Sequence, residues 1–141
     1  MDLKSMYREI VNEHNLHPEH KYDLSAPTKI LRGKNPSCGD DINLQLKIED
    51  GVITDGSFNG SGCAVSQASC DIMLDLIIGR KEEEAKQLLQ NFNDMIHGTA
   101  TDEQVEELDE AAALLGVARM PARVKCAMLG WRTLGEIMEE E

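Results

Sequence analysis

The chain has 141 residues, enough for one domain with a buried core and too few for two of ordinary size. Hydrophobic residues make up 41% and aromatic ones only 4%, so global disorder is excluded and the core must be built mainly from Leu, Ile, Val, Met and Ala. A net charge of −12 argues against a nonspecific nucleic-acid binder, and no apolar run approaches the roughly 20 residues that would span a membrane.

The opening MDLKSMYREI lacks the apolar stretch of a secretory leader, so a cytoplasmic protein is expected. Leu3, Met6, Tyr7, Ile10 and Val11 recur at helical spacing and predict an amphipathic helix from Met1 to about Leu16. Residues 17–37 hold three prolines and no sustained period, which reads as a long ordered loop or extended segment. From Asp41 to Ile48 apolar and polar residues alternate, the pattern of a strand with one buried face. Glu49-Asp50-Gly51 then signals a hairpin, and Val52 to Phe58 returns as a second antiparallel strand with Gly56 at a bulge or turn.

The loop Asn59-Gly60-Ser61-Gly62 feeds a helix whose stripe is Val65, Ala68, Ile72, Leu76 and Ile77, ended by Gly79. Two more helices are predicted, at about 81–97 and about 102–115, the second opened by Thr101 with Gln104 three residues on. A last helix starts at Pro121 and runs through Val124, Met128, Trp131, Leu134 and Met138. Helix, two or three strands, then helices is the order of an α+β fold. Charge is unevenly spread along it. Residues 81–110 hold ten acids and two bases, whereas 111–132 hold four bases (Arg119, Arg123, Lys125 and Arg132) and no acid.

Four cysteines occur at positions 38, 63, 70 and 126 with no Cys-x-x-Cys pair, so any shared site must be assembled by the fold. In a reducing cytoplasm disulfides are not expected. A solitary cytosolic cysteine is most often a small buried hydrophobe, and Cys70, two helical turns beyond Cys63, fits that role. The other three lie where chemistry is favoured. Cys38 sits in the turn Asn35-Pro36-Ser37-Cys38-Gly39-Asp40, where its thiolate and the Asp40 carboxylate can face one centre. Cys63 stands at a helix start, and Cys126 in the first turns of the helix opened by Pro121, beside Arg123 and Lys125. Helix dipole and cations both favour the thiolate, the form that attacks and ligates. Three thiolates and a carboxylate suit tetrahedral Zn²⁺ and also an iron–sulfur cluster. His14, His17, His20 and His97 read as surface or dipole-stabilising histidines, although His17-Pro18-Glu19-His20 offers a ligand pair. The glycines at 56–62 are not followed by Gly-Lys-Ser/Thr, which excludes a phosphate loop, and no nucleophile elbow is present.

Asn35-Pro36-Ser37-Cys38-Gly39-Asp40, Gly60-Ser61-Gly62-Cys63-Ala64 and Arg123-Val124-Lys125-Cys126 resemble, in order, the three cysteine motifs of the IscU/NifU-type iron–sulfur cluster assembly proteins. The resemblance covers nearly the whole chain and implies a single domain, 1–141, of the IscU/SufE-like α+β fold, about three antiparallel strands with helices on one face. Scaffold members of that family usually carry His before the third cysteine. Here Lys125 stands there, and the segment between the second and third cysteines is long, with about 81–115 as a helical insertion. Both features look like the SufU branch. That resemblance implies Zn²⁺ held by Cys38, Asp40, Cys63 and Cys126, with Cys38 accepting sulfur from a SufS-like, pyridoxal-phosphate cysteine desulfurase and downstream iron–sulfur assembly proteins receiving it. Arg123 and Lys125 are then expected to stabilise the persulfide or steer the partner. The alternative is a scaffold carrying a [2Fe–2S] cluster on Cys38, Cys63 and Cys126. A third reading, a zinc that only holds the fold, is disfavoured by a chain long enough to bury its own core.

Overall fold

A computed structural model describes residues 3–36 and 39–139. Helix α1 (Leu3–Leu16) leads into β1 (Lys29–Asn35), β2 (Asp40–Glu49) and β3 (Val52–Ser61), followed by α2 (Ala64–Ile77), α3 (Glu82–Ile96), α4 (Asp102–Glu107), a 3-10 helix (Asp109–Arg119) and α5 (Pro121–Glu139). The three strands form one antiparallel sheet in the order β1-β2-β3. The expected α+β architecture is therefore present.

The hairpin between β2 and β3 follows from two residues. Asp50 (φ 52°) and Gly51 (φ 76°) both take left-handed backbone, as a two-residue turn matched to strand twist requires. The bulge lies elsewhere than expected. Register shifts between Lys47 and Ile48, opposite Thr54, whereas Gly56 pairs regularly with Leu46. Gly56 is needed for close packing instead, since a Cβ there would meet Leu74 Cδ2 at 2.8 Å. Strand β3 also continues three residues past Phe58, so Asp41 pairs with Ser61. The start of β2 and the end of β3 thus share one end of the sheet.

Ile42, Leu44 and Leu46 of β2 are buried, with α5 packed on β1 and β2 and α2 on β3. Gln45, pointing the opposite way, is also buried: its side chain accepts from Leu24 N at 2.8 Å and donates to Asp23 at 3.2 Å. Phe92 of α3 stacks on Trp131 of α5, ring centroids 4.1 Å apart, inside the same core. Trp131 Nε1–H donates to Ser69 Oγ, and Ser69 donates to the carbonyl of Ala127, which ties α2 to α5.

The segment 17–37, expected as a loop or an extended stretch, is extended in its last third, where β1 lies. One expectation needs correction. The single helix over about 102–115 is two pieces: α4, capped by Thr101 and Gln104 as expected, ends at Glu107, and Asp109 (φ 53°) breaks the α backbone before the 3-10 run begins. Of the residues buried there, Ala111, Leu114 and Val117 recur every three positions, with Ala113 beside them and Leu108 just before. Three is the period of a 3-10 helix, which therefore sets Ala111, Leu114 and Val117 along one edge.

Candidate metal centre

Each strand brings one piece of the site to the same end of the sheet. Asn35 ends β1 and pairs with Asp40, which starts β2, while Ser61 ends β3 and is followed by Gly62 and Cys63. Cys63 takes the N-cap position of α2, and its sulfur accepts from Ser66 N at 3.5 Å. Helix α5, packed across β1 and β2, supplies Cys126 from its second turn.

Ligand atoms of Asp40, Cys63 and Cys126 all lie within 4.8 Å of one another. Three of the four ligands expected from the sequence are therefore brought together. The fourth, Cys38, lies outside the described residues, between Pro36 and Gly39 in the link from β1 to β2. Asp40 is 1% exposed, so its carboxylate must be satisfied from within. It accepts from Cys63 N at 2.9 Å and, more loosely, from Asn35 Nδ2 at 3.4 Å. Asn35 Nδ2 also lies 3.8 Å from Cys126 Sγ. Gly62 leaves the space this demands: a Cβ there would fall 2.5 Å from Asp40 Oδ1. Two soft sulfurs with one harder oxygen, held at a helix cap, a helix turn and a strand start, fit a four-coordinate metal of intermediate softness completed by one more ligand.

Arg123 and Lys125 are exposed on α5 one turn or less from Cys126. Tyr7 belongs to the same neighbourhood, which its place in the stripe of α1 did not reveal. Burial raises the pKa of its hydroxyl, Arg123 opposes the rise, and negative charge on Cys63 and Cys126 adds to it. Its ring packs where a Cβ on Gly116 would sit, 3.3 Å away. Cys70 is fully buried, burial pushes its thiol far above the ordinary range, and it serves the core as expected.

The histidines divide. His97 caps α3 and its ring contacts the Asn93 carbonyl at 2.7 Å, the role expected. His14 is not a surface histidine: it is 9% exposed and held between Asp71 (2.6 Å) and Glu110. His20 meets Asp75 at 2.8 Å, with Glu19 near both, while His17 is absent from that group. Among the described residues no helix is long and apolar enough to cross a membrane.

The family model described as NifU-like N terminal domain matches residues 6–127. The chain is 40% identical over 140 residues to a Thermotoga maritima protein named "Iron-sulfur cluster assembly scaffold protein IscU", covering 99% of this chain and 97% of that one. It is 34% identical over 140 residues to the Bacillus subtilis "Zinc-dependent sulfurtransferase SufU", covering 99% and 94%. Among solved structures, FiSufU of Fervidobacterium islandicum, described as a cluster assembly scaffold of the SUF system, superposes with a TM-score of 0.89 at 33% identity, covering 95% of this chain and 97% of that one. A NifU-like protein from Brucella abortus, at 20% identity and a TM-score of 0.84 over 99% and 96%, shares the fold.

Proposed function

The chain belongs to the NifU-like N-terminal domain family of iron–sulfur cluster assembly proteins, and on that premise we propose that it is a zinc-dependent sulfurtransferase taking persulfide sulfur from a cysteine desulfurase through Cys38. The observation that carries this reading is the convergence of Asp40, Cys63 and Cys126 beside the link that bears Cys38. Zinc held by these four residues would keep the acceptor sulfur deprotonated and shield it from oxidation.

The transfer itself is a thiol exchange. The Cys38 thiolate attacks the terminal sulfur of the desulfurase cysteine persulfide. A new S–S bond forms at Cys38, the old one breaks, and the desulfurase cysteine departs as thiolate, so no outside oxidant or reductant is consumed. Asp40, the least soft of the four donors, would hold the metal most weakly. Cys63 and Cys126, fixed on α2 and α5, would be its firmer ligands. Arg123 and Lys125 place positive charge where the persulfide anion develops and where an acidic partner surface would dock. Lys125, in the position that scaffold members give to His, favours transfer over cluster building. The chain acts as one domain, its acidic segment 81–115 an insertion between the second and third motifs.

The test is the metal content and absorbance spectrum of protein purified without chelator, with stimulation of a cysteine desulfurase by wild type and by Cys38→Ser. About one zinc per chain, no visible chromophore and stimulation lost in Cys38→Ser is the expected result, on the stoichiometry of a four-ligand site. A second reading, a scaffold for a [2Fe–2S] cluster, is favoured by the names of two relatives, at 40% and 38% identity. Stoichiometric iron with sulfide in a brown protein selects it. A purely structural zinc is disfavoured by the extent of the core around Phe92 and Trp131, to which the proposed ligands contribute only Cys126 and, from its edge, Cys63.

A further inference from the structure

Asn35 stands out because it is a 3% exposed amide with two partners in the site and no part in the exchange just described. It holds three groups at once. Its backbone carbonyl accepts from Gly39 N at 2.9 Å, closing the base of the link that carries Cys38. Its Nδ2 group reaches Asp40 Oδ2 at 3.4 Å and Cys126 Sγ at 3.8 Å. It also pairs in register with Asp40, so its side chain is carried to the site by the same ladder that fixes the carboxylate.

We propose that Asn35 is the positioning residue that keeps Asp40 and Cys126 in place as a preassembled half-site and that tempers the reactivity of the Cys126 sulfur. This rests on the zinc-dependent reading above. An N–H donated to a thiolate draws charge from the sulfur, which lowers its tendency to take a proton or attack a sulfane sulfur without removing it from a metal. Cys126 receives such a donor from a buried side chain on the sheet, and Cys63 one from the backbone of Ser66 on its own helix. Asn35 thus ties the first residue of β2 to the second turn of α5 from one position at the end of β1.

Asn35→Leu and Asn35→Asp both preserve the branched shape and both lack the N–H donors, so packing alone predicts little change from the first. In full-length protein loaded with zinc, each variant should lose the metal to a competing chelator roughly 10–100-fold faster than wild type, the range for partners of metal ligands. With cobalt(II) as probe, the sulfur-to-metal charge-transfer band should move to longer wavelength, a signature that a purely structural role does not produce. Metal-free thermal unfolding identifies a variant that has simply failed to fold. Wild type loaded with cadmium-113 needs no substitution: the Asn35 side-chain amide proton should show coupling to the metal through Cys126 Sγ. Zinc release and cobalt spectra equal to wild type in the folded variants, or an Asn35 amide resonance unmoved by cadmium, would overturn the role of Asn35. Wild type that holds no zinc would instead overturn the reading on which it rests.

Discussion

Gly62→Ala perturbs the site through a single methyl group. No left-handed backbone is involved at Gly62, so the substitution acts by contact alone. The added Cβ would lie 2.5 Å from Asp40 Oδ1 and 2.6 Å from Ser66 Oγ, roughly an ångström short of the 3.4 Å at which ordinary contact begins. Ser66 Oγ is held by the carbonyl of Cys63 at 3.1 Å and Asp40 by Cys63 N at 2.9 Å, so both neighbours resist. Moving the carboxylate breaks a charge-assisted hydrogen bond in a buried site, at about 1.5–3 kcal/mol. For a chain of this length that corresponds to about 4–10 °C in Tm of the metal-free protein. Metal coordination tolerates displacements of only about 0.2 Å, so zinc affinity should fall by at least tenfold. Differential scanning calorimetry of the metal-free protein and chelator competition of the loaded one measure the two effects separately. A Gly62→Ala protein with wild-type Tm and wild-type zinc affinity would refute the claim that Asp40 is wedged between Gly62 and Cys63.

Other perturbations test other parts of the molecule. Burial disfavours a charged His14, but its hydrogen bonds to Asp71 and Glu110 outweigh that and raise its pKa above the ordinary 6.5. Stability from this contact is full below that value and fades as pH rises through the folded pKa. Urea midpoints between about pH 6 and about pH 9 should therefore decline in wild type and decline less in His14→Gln, and equal slopes would reject the assignment. Trp131→Phe removes the buried Nε1–H bond to Ser69 and leaves space beside Phe92, at roughly 1–3 kcal/mol by urea unfolding followed by circular dichroism; a cost near zero would show that the link between α2 and α5 is not stabilising. Arg123→Glu with Lys125→Glu should weaken desulfurase stimulation and flatten its salt dependence, and unchanged stimulation dismisses their electrostatic role.

The three cysteine motifs were legible because each combines a ligand with the backbone device that positions it: a Pro- and Gly-bounded turn, a glycine run before a helix cap, and a helix opened by proline. What the residues alone could not show was convergence, since Asn35, Asp40 and Ser61 meet only through strand register. Strand β1 escaped notice for a specific reason. Its inward positions are Lys29, Leu31, Gly33 and Asn35, of which only Leu31 is a large apolar residue, while Ile30 faces outward and is 53% exposed. The alternation exists in burial but not in hydrophobicity, because α5 packs tightly over a glycine and the site needs an amide. The break at Leu108 and Asp109 was hidden because the helix over 102–115 was read from its start, the Thr101 and Gln104 cap, which says nothing of where the α backbone ends. His14 looked like an ordinary helix-end histidine because its partners, Asp71 and Glu110, are far along the chain.

Side chains along a strand alternate faces, so slipping β1 by a single residue against β2 would turn Asn35 away from Asp40, and slipping β3 would shift Cys63, two residues beyond Ser61, relative to it. The apolar code that forbids this is weakest nearest the site: β1 offers one large inward hydrophobe, and β3, although it buries Ile53 and Phe58, ends in Asn59, Gly60 and Ser61. A chain folded one step out of alignment could keep much of its core and still lack the gathering of Asp40, Cys63 and Cys126. On the zinc reading proposed above, capture of an ion at that end of the sheet would act as proofreading: it would reward only the aligned form, and couple quality control of the hairpins to readiness for chemistry.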